Sequence, residues 1–334
     1  MPIAVLYPNF RYPDESVERA AFGPDAHIIA GRAASLAALE DAQCAAADGL
    51  MILGEWVSEA DLARFGRLRA IVRMGVGYDR IDRAAAAARG ITVCNVPDYG
   101  TMEVADHALA LTLALRRGVA LHHDMQRRDT PAPWTSIPHP TVRRLGVQGF
   151  GIVGLGRIGT AAALRAKAFG FRVVFYDPFL PNGADLALGI ERARTLEELL
   201  PQADVLTLHA PLTRLTRNLI GARELALLPR DAVVINVARG PILDLDALAD
   251  ALRENRIAGA GLDVLPDEPP TPAPALLDAY RAREPWLEGR LVVTPHAAFY
   301  SPEAWQDIRR KSAETMAAAL LTNRPQNVIA PDSD

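Results

Sequence analysis

Short runs of valine, isoleucine and leucine alternate with helix-patterned stretches along almost the whole chain, and this alternation limits the fold more than any other feature. It indicates an α/β architecture with parallel sheets. In the first hundred residues strands are expected at 3–7, 49–53, 70–74 and 91–93, with helical stretches such as 82–89 between them, which makes one small α/β unit. Residues 103–115 are apolar nearly all round and read as a buried helix. A polar, proline-containing arm spans 124–144. A second series of strands follows at 149–153, 172–176, 205–209, 232–236, 259–264 and 291–294. Six strands in this order match the two halves of a Rossmann fold. The proline-rich segment 266–290 interrupts the last crossover and reads as a loop with a short helix near 276–282. A final helix is expected from Pro302, at its first turn, to about Thr322.

The length of 334 residues, half of them apolar, exceeds one comfortable core and implies two domains. A net charge of −4 with no Lys/Arg-rich block argues against a nucleic-acid surface. Two cysteines, Cys44 and Cys94, do not make a disulfide framework and read as inert core thiols. The amino terminus carries no charged leader before an apolar stretch, and no run reaches the ~20 apolar residues of a membrane span. The expectation is a soluble, cytoplasmic protein.

Gly154-Leu155-Gly156-Arg157-Ile158-Gly159 fits G-x-G-x-x-G, with a strand before it and a helix expected over 160–169 after it. Gly154 permits the tight turn. Gly156 lets the backbone approach a pyrophosphate, whose charge meets free N–H groups at the helix start. Gly159 lets helix and strand pack closely. The next strand ends at Asp177, 18 residues past Gly159 and near the expected ~20. A carboxylate there accepts both ribose hydroxyls and repels a 2′-phosphate. The following Pro178-Phe179-Leu180 offers no arginine for such a phosphate, so NAD is favoured over NADP.

Three further residues follow strands of the same expected sheet. Arg239, just after the run ending at Asn236, is a cation at the rim where doubly wound sheets bind ligands, suited to grip a carboxylate with two parallel hydrogen bonds. His296 follows the strand at 291–294. Its reference pKa of about 6.5 allows both protonation states near neutrality, which fits the proton half of a hydride-transfer reaction. Glu268 follows the strand at 259–264, and a carboxylate touching the imidazole orients the ring; Asp267 competes for that role. Asp263 either faces a nicotinamide amide or caps a turn. Taken singly, each residue has a plainer reading: Arg239 in a surface salt bridge, His296 capping a turn, Glu268 as a solvated loop acid. Together they point to hydride transfer at a 2-hydroxy or 2-keto acid.

The chain resembles the D-isomer-specific 2-hydroxyacid dehydrogenases from about Ala70 to Ala304, and within them most closely the C-terminal-binding-protein branch. The strings that carry the likeness are Arg73-Met74-Gly75-Val76-Gly77-Tyr78-Asp79, Cys94-Asn95-Val96-Pro97, Arg165-Ala166-Lys167-Ala168-Phe169-Gly170-Phe171, Phe175-Tyr176-Asp177-Pro178 and Pro295-His296-Ala297-Ala298-Phe299-Tyr300-Ser301. The resemblance implies that an NAD-binding Rossmann domain, 103–300, is inserted into a smaller flavodoxin-like substrate-binding domain made of 1–102 and 301–334. It implies a catalytic triad of Arg239, Glu268 and His296. It places the substrate carboxylate on the Val76–Gly77 backbone with Arg73 nearby, and sets Val104, His209, Ala210, Thr216, Val237 and Ala238 along the cofactor. It also implies a homodimer joined through the cofactor domains, with the 124–144 arm in the contact.

Some residues depart from related patterns. The corepressors of that branch carry tryptophan where this chain has Phe299, which keeps an aromatic wall and loses an indole donor. Glu268 stands where formate dehydrogenases use glutamine, and Val76 where phosphite dehydrogenases use lysine, so neither substrate is expected. The 28 residues from Glu268 to His296 exceed the corepressor spacing, enough for a lid or a dimer element. The corepressor likeness leaves a second expectation open, an NADH-sensing dimeric module that binds other proteins.

Overall fold

The computed structural model describes residues 2–128, 131 and 134–331. The chain forms two compact units, one of residues 1–100 with 300–334 and the other of residues 101–299.

The smaller unit holds β1 (Ala4–Tyr7), β2 (His27–Ala30), β3 (Gly49–Ile52), β4 (Ala70–Arg73) and β5 (Thr92–Asn95) in one parallel sheet ordered β2-β1-β3-β4-β5. This is the flavodoxin strand order. β1 and β3 are buried along their whole length, as a parallel sheet covered on both faces requires. The sequence pattern does not mark β2. Only Ile28 and Ile29 of its four residues are buried, because it lies at the sheet edge, and two apolar residues make no recognisable run. The last helix, Pro302–Leu321, packs on β4 and on the helix Ser16–Phe22. Ser301 caps it by accepting from Ala304 N at 3.0 Å, and Pro302 sits at its first turn. The helix is tied down by a buried two-point ion pair, Arg309 Nε to Glu18 Oε1 at 3.0 Å and Nη2 to Oε2 at 2.6 Å. Both cysteines are buried, and desolvation pushes the Cys94 thiol up to about 11 and raises Cys44 as well, so both stay protonated at neutral pH.

The larger unit holds β6 (Gly149–Val153), β7 (Arg172–Tyr176), β8 (Glu191–Arg192), β9 (Val205–Leu208), β10 (Val233–Asn236), β11 (Gly259–Leu262) and β12 (Leu291–Val293). All pairs are parallel, in the order β12-β11-β10-β9-β6-β7-β8. Counted from β6, this is the doubly wound order 3-2-1-4-5-6 with one strand added at the far edge. The expected strands stand with small changes at their ends; several stop one or two residues sooner because the chain leaves the ladder to form the rim loops. β8 leaves no apolar run in the sequence because its two residues are both charged. Its pairing to Val174 and Phe175 holds it in place, not its composition. The helix expected at 103–115 runs Thr101–Arg116, and the next, Val119–Arg128, takes in the first residues of the expected arm. Residues 129–130 and 132–133 of that arm lie outside the described ones.

Arg116 at the end of the first of these helices is fully buried, with burial pushing its pKa down to about 10. It donates to the carbonyls of Thr141, Asp231 and Asp204, next to the amino ends of β10 and β9. The opposite, carboxyl ends of the strands are left for a site. Among the described residues no helix is long and apolar enough to cross a membrane.

Candidate active site

At the switch point of the larger sheet β6 and β9 are neighbours, while their helices go to opposite faces. Each glycine of the loop after β6 meets its own constraint. Gly154 has φ +88°, where only glycine is unstrained, and a Cβ there would lie 2.8 Å from Ala210 N in the loop after β9. A Cβ on Gly159 would run into the carbonyl oxygen of Gly154. A Cβ on Gly156 would meet no protein atom within 4 Å, so the space in front of this backbone is open to a ligand. The helix Arg157–Ala168 starts here, three residues earlier than expected, and presents free N–H groups at that opening. Asp177 closes the loop: Oδ2 accepts from Leu155 N at 3.0 Å and Oδ1 from Phe179 N at 3.0 Å. The loop thus sets an open helix start beside a carboxylate.

The rim loops after β10, β11 and β12 bring together the residues expected to act. Arg239 follows β10, and its backbone is fixed by Asn236, whose Nδ2 donates to Arg239 O at 2.9 Å. Its Nη1 donates to Ala238 O at 2.8 Å. At Gly240 a Cβ would overlap the backbone of Leu265 and Pro266, so the Arg239 loop and the loop leading to Glu268 pass in direct backbone contact. Glu268 Oε1 accepts from Leu265 N at 3.0 Å, and Oε2 lies 2.6 Å from His296 Nδ1. Glu268, not Asp267, is therefore the partner of the imidazole. With Nδ1 on the carboxylate, the ring's Nε2 is the nitrogen left to exchange a proton. Phe299 packs edge-on to the ring, centroids 6.3 Å apart.

His296 adopts φ +52°, a left-handed conformation in which a residue with a Cβ is strained by roughly 1 kcal/mol. Asp263, 2% exposed at the end of β11, holds this turn. Its backbone carbonyl accepts from His296 N at 2.7 Å, Oδ1 from Ala297 N at 2.9 Å and Oδ2 from Ala298 N at 3.0 Å. Of the two roles open to Asp263, capping the turn is the one these bonds express.

Residues 109–298 match the NAD binding domain of the D-isomer specific 2-hydroxyacid dehydrogenases. The chain belongs to that family. D-3-phosphoglycerate dehydrogenase of Methanocaldococcus jannaschii is 35% identical over 277 residues, 83% of this chain and 50% of the relative, so the chain spans half the length of that protein. Glycerate dehydrogenase of Methylorubrum extorquens is 37% identical over 265 residues, 78% of this chain and 79% of the relative. Among solved structures, D-lactate dehydrogenase from Aquifex aeolicus complexed with NAD and lactic acid is similar at 26% identity, with a TM-score of 0.84 and 98% of each chain covered.

The other positions that the 2-hydroxyacid dehydrogenase resemblance singled out fall as follows. Val104 (8% exposed) lies on the helix Thr101–Arg116, Ala210 (9%) after β9, and Val237 (7%) and Ala238 after β10. The Thr216 hydroxyl is spent within its loop, donating to Pro211 O at 2.6 Å and accepting from Thr213 N at 2.8 Å. Arg73 ends β4 in the smaller unit and Val76 and Gly77 follow it, where Asn95 Nδ2 fixes the Val76 carbonyl at 2.6 Å.

Residues 178–180 bring no arginine to the Asp177 carboxylate, and the loop is braced from another strand. An arginine does stand beside the Asp177 loop: Arg192 of β8 donates to the carbonyls of Asp177, Leu180 and Pro181 at 2.8–2.9 Å and lies over the Phe175 ring. The segment after Asp177 gives no hint of it, because Arg192 arrives by strand pairing from 15 residues away. Its bonds run to backbone carbonyls and brace the loop.

His209, after β9, is largely enclosed, with Nε2 3.0 Å from Thr207 Oγ1. Desolvation pushes its pKa down to about 4, so it is neutral at working pH. Between pH ~6.5 and about 4 the unfolded chain binds a proton that the folded one refuses. Folding stability is therefore lost as pH falls through that window. Thermal midpoints of wild type and His209→Gln at pH 7.5 and 5 should show the variant gaining about 1–2 kcal/mol relative to wild type at the lower pH. A constant difference would refute a neutral His209.

Proposed function

We propose that this chain is an NAD(H)-dependent D-2-hydroxyacid dehydrogenase, interconverting a 2-hydroxy acid and its 2-keto acid, with His296 as acid and base. The observation that carries the proposal is the 2.6 Å contact of His296 Nδ1 with Glu268 at the carboxyl rim of the Rossmann sheet. That contact leaves Nε2 to take the hydroxyl proton in oxidation and return it in reduction. Arg239 grips the substrate carboxylate. Glu268 holds the ring in one orientation and faces the positive charge it acquires. Bound nicotinamide supplies or accepts the hydride. Val104, His209, Ala210, Thr216, Val237 and Ala238 line the cofactor, as in the family resemblance, and Phe299 walls the substrate side chain beside His296. The protein works in the cytoplasm as a homodimer joined through its Rossmann units.

The test is NADH oxidation with a panel of 2-keto acids, glyoxylate, hydroxypyruvate and aryl or thioether keto acids among them. Arg239→Ala should raise KM by about 10²-fold, since losing one charge-assisted bidentate contact costs a few kcal/mol. A panel without turnover on either NADH or NADPH would sink the reading. We favour NAD over NADP on Asp177, a carboxylate at the end of β7 suited to accept the ribose hydroxyls and to repel a 2′-phosphate. Asp177→Ser should weaken NADH by about tenfold and narrow its advantage over NADPH, which steady-state KM values measure directly. Unchanged cofactor constants would remove Asp177 from the site.

A second reading, a dimeric module that senses NADH and docks other proteins, rests on the sequence likeness to the C-terminal-binding-protein branch alone. The strings around Arg73 and Pro295 carry it. The Glu268–His296 pair weighs toward chemistry, because a sensor has no use for an oriented proton donor.

A further inference from the structure

The turn that carries His296 is strained, and its support continues past Asp263. Thr294 Oγ1 lies 2.6 Å from Asp263 Oδ1 and 2.9 Å from His107 Nε2. His107 sits on the helix Thr101–Arg116, 187 residues from Thr294 in sequence, and its Nε2 is 3.7 Å from Asp263 Oδ1. The directions of these bonds follow from the donor inventory. The Asp263 carboxylate only accepts, so the Thr294 hydroxyl proton goes to it. The remaining capacity of that hydroxyl is a lone pair, so His107 must donate, with its proton on Nε2. The result is an ordered chain: His107 Nε2–H to Thr294, Thr294 to Asp263, and Asp263 accepting from the N–H groups of Ala297 and Ala298.

From this geometry we infer that His107 is a positioning residue for the proton-transfer histidine. The inference rests on the proposed role of His296. His107 touches neither reacting atoms nor His296. It fixes the Thr294 rotamer, which keeps the Asp263 carboxylate aimed at the 297–298 amides, and those amides hold His296 at its positive φ with Nδ1 on Glu268. The helix thereby braces the proton-transfer group from the face of the sheet on which it packs. In the sequence His107 is one of several polar residues, Glu103 and Asp106 among them, in a largely apolar helix, and nothing there connects it to a loop almost two hundred residues later.

Two variants test this. His107→Leu removes the donor. His107→Gln keeps an N–H near the Nε2 position and should rescue. Expected for His107→Leu is a kcat lower by about tenfold, with KM for keto acid and for NADH within about threefold, because binding groups are untouched while the proton donor loses its fixed orientation. His107→Gln should restore kcat to within about threefold. The second readout needs no turnover: the proton between His296 Nδ1 and Glu268 should give a downfield NMR resonance in wild type and His107→Gln that broadens away in His107→Leu. Should His107→Leu not fold, Thr294→Val, which deletes only the hydroxyl, must give the same loss of kcat and of the resonance. The inference is overturned when His107→Leu or Thr294→Val keeps both, or when glutamine rescues neither. A protein that shows the full resonance pattern yet reduces no keto acid upholds the positioning role and overturns the proposed reaction instead.

Discussion

Replacing His296 with alanine should lower kcat by about 10²–10⁴-fold and leave NADH affinity within about twofold. The loss follows from geometry. In the proposed reaction, Glu268 on Nδ1 at 2.6 Å leaves Nε2 to exchange the proton with substrate, and alanine has nothing to put there. The backbone complicates this variant, since residue 296 stands at φ +52°. Asparagine, which tolerates the left-handed region, is therefore the matched control: His296→Asn should fold as wild type and be as inactive as the alanine variant. Steady-state kinetics together with NADH fluorescence titration decide the matter. A kcat within tenfold of wild type in both variants would leave the chain without its proton donor and end the dehydrogenase mechanism given above.

Gly240→Ala should damage both stability and activity. The added methyl would overlap the main chain of Leu265 and Pro266, and a backbone cannot move aside as a side chain can. Separating the two loops should cost about 3–5 kcal/mol, at the upper end for a single substitution. For a unit the size of residues 101–299, that lowers the melting midpoint by about 10 °C. Because Arg239 precedes the contact and Glu268 follows it, surviving folded enzyme should lose about 10²-fold in kcat/KM from misplacement alone. A melting midpoint within 2 °C of wild type, with activity intact, would show that the loops do not meet as described.

Much of the site was legible because local chemistry marks it. The glycine loop carries its own reasons in its spacing. Arg239, Glu268 and His296 each follow a strand, and in parallel α/β sheets the carboxyl ends of strands share one rim. What stayed hidden came from partners distant in sequence. β8 and Arg192 are placed by pairing with β7, and their own residues would suit any surface loop. Thr294 and His107 gain meaning only from each other and from Asp263. The choice of Glu268 over Asp267 depended on which of two adjacent acids turned toward the imidazole.

By itself, then, the order of apolar runs, glycines and rim residues determined a parallel α/β chain with a dinucleotide-type glycine loop and a guanidinium, a carboxylate and an imidazole that each follow a strand of one sheet. These features are set by periodicity, backbone permissiveness and side-chain chemistry, which act over a few residues. The tertiary structure alone decided that Gly240 lets two loops touch, that Asp263 is tied into the His296 turn, and that a helical histidine stands behind it. Those outcomes depend on distances between segments far apart in the chain, and such distances are set by the packing of the whole sheet and its helices.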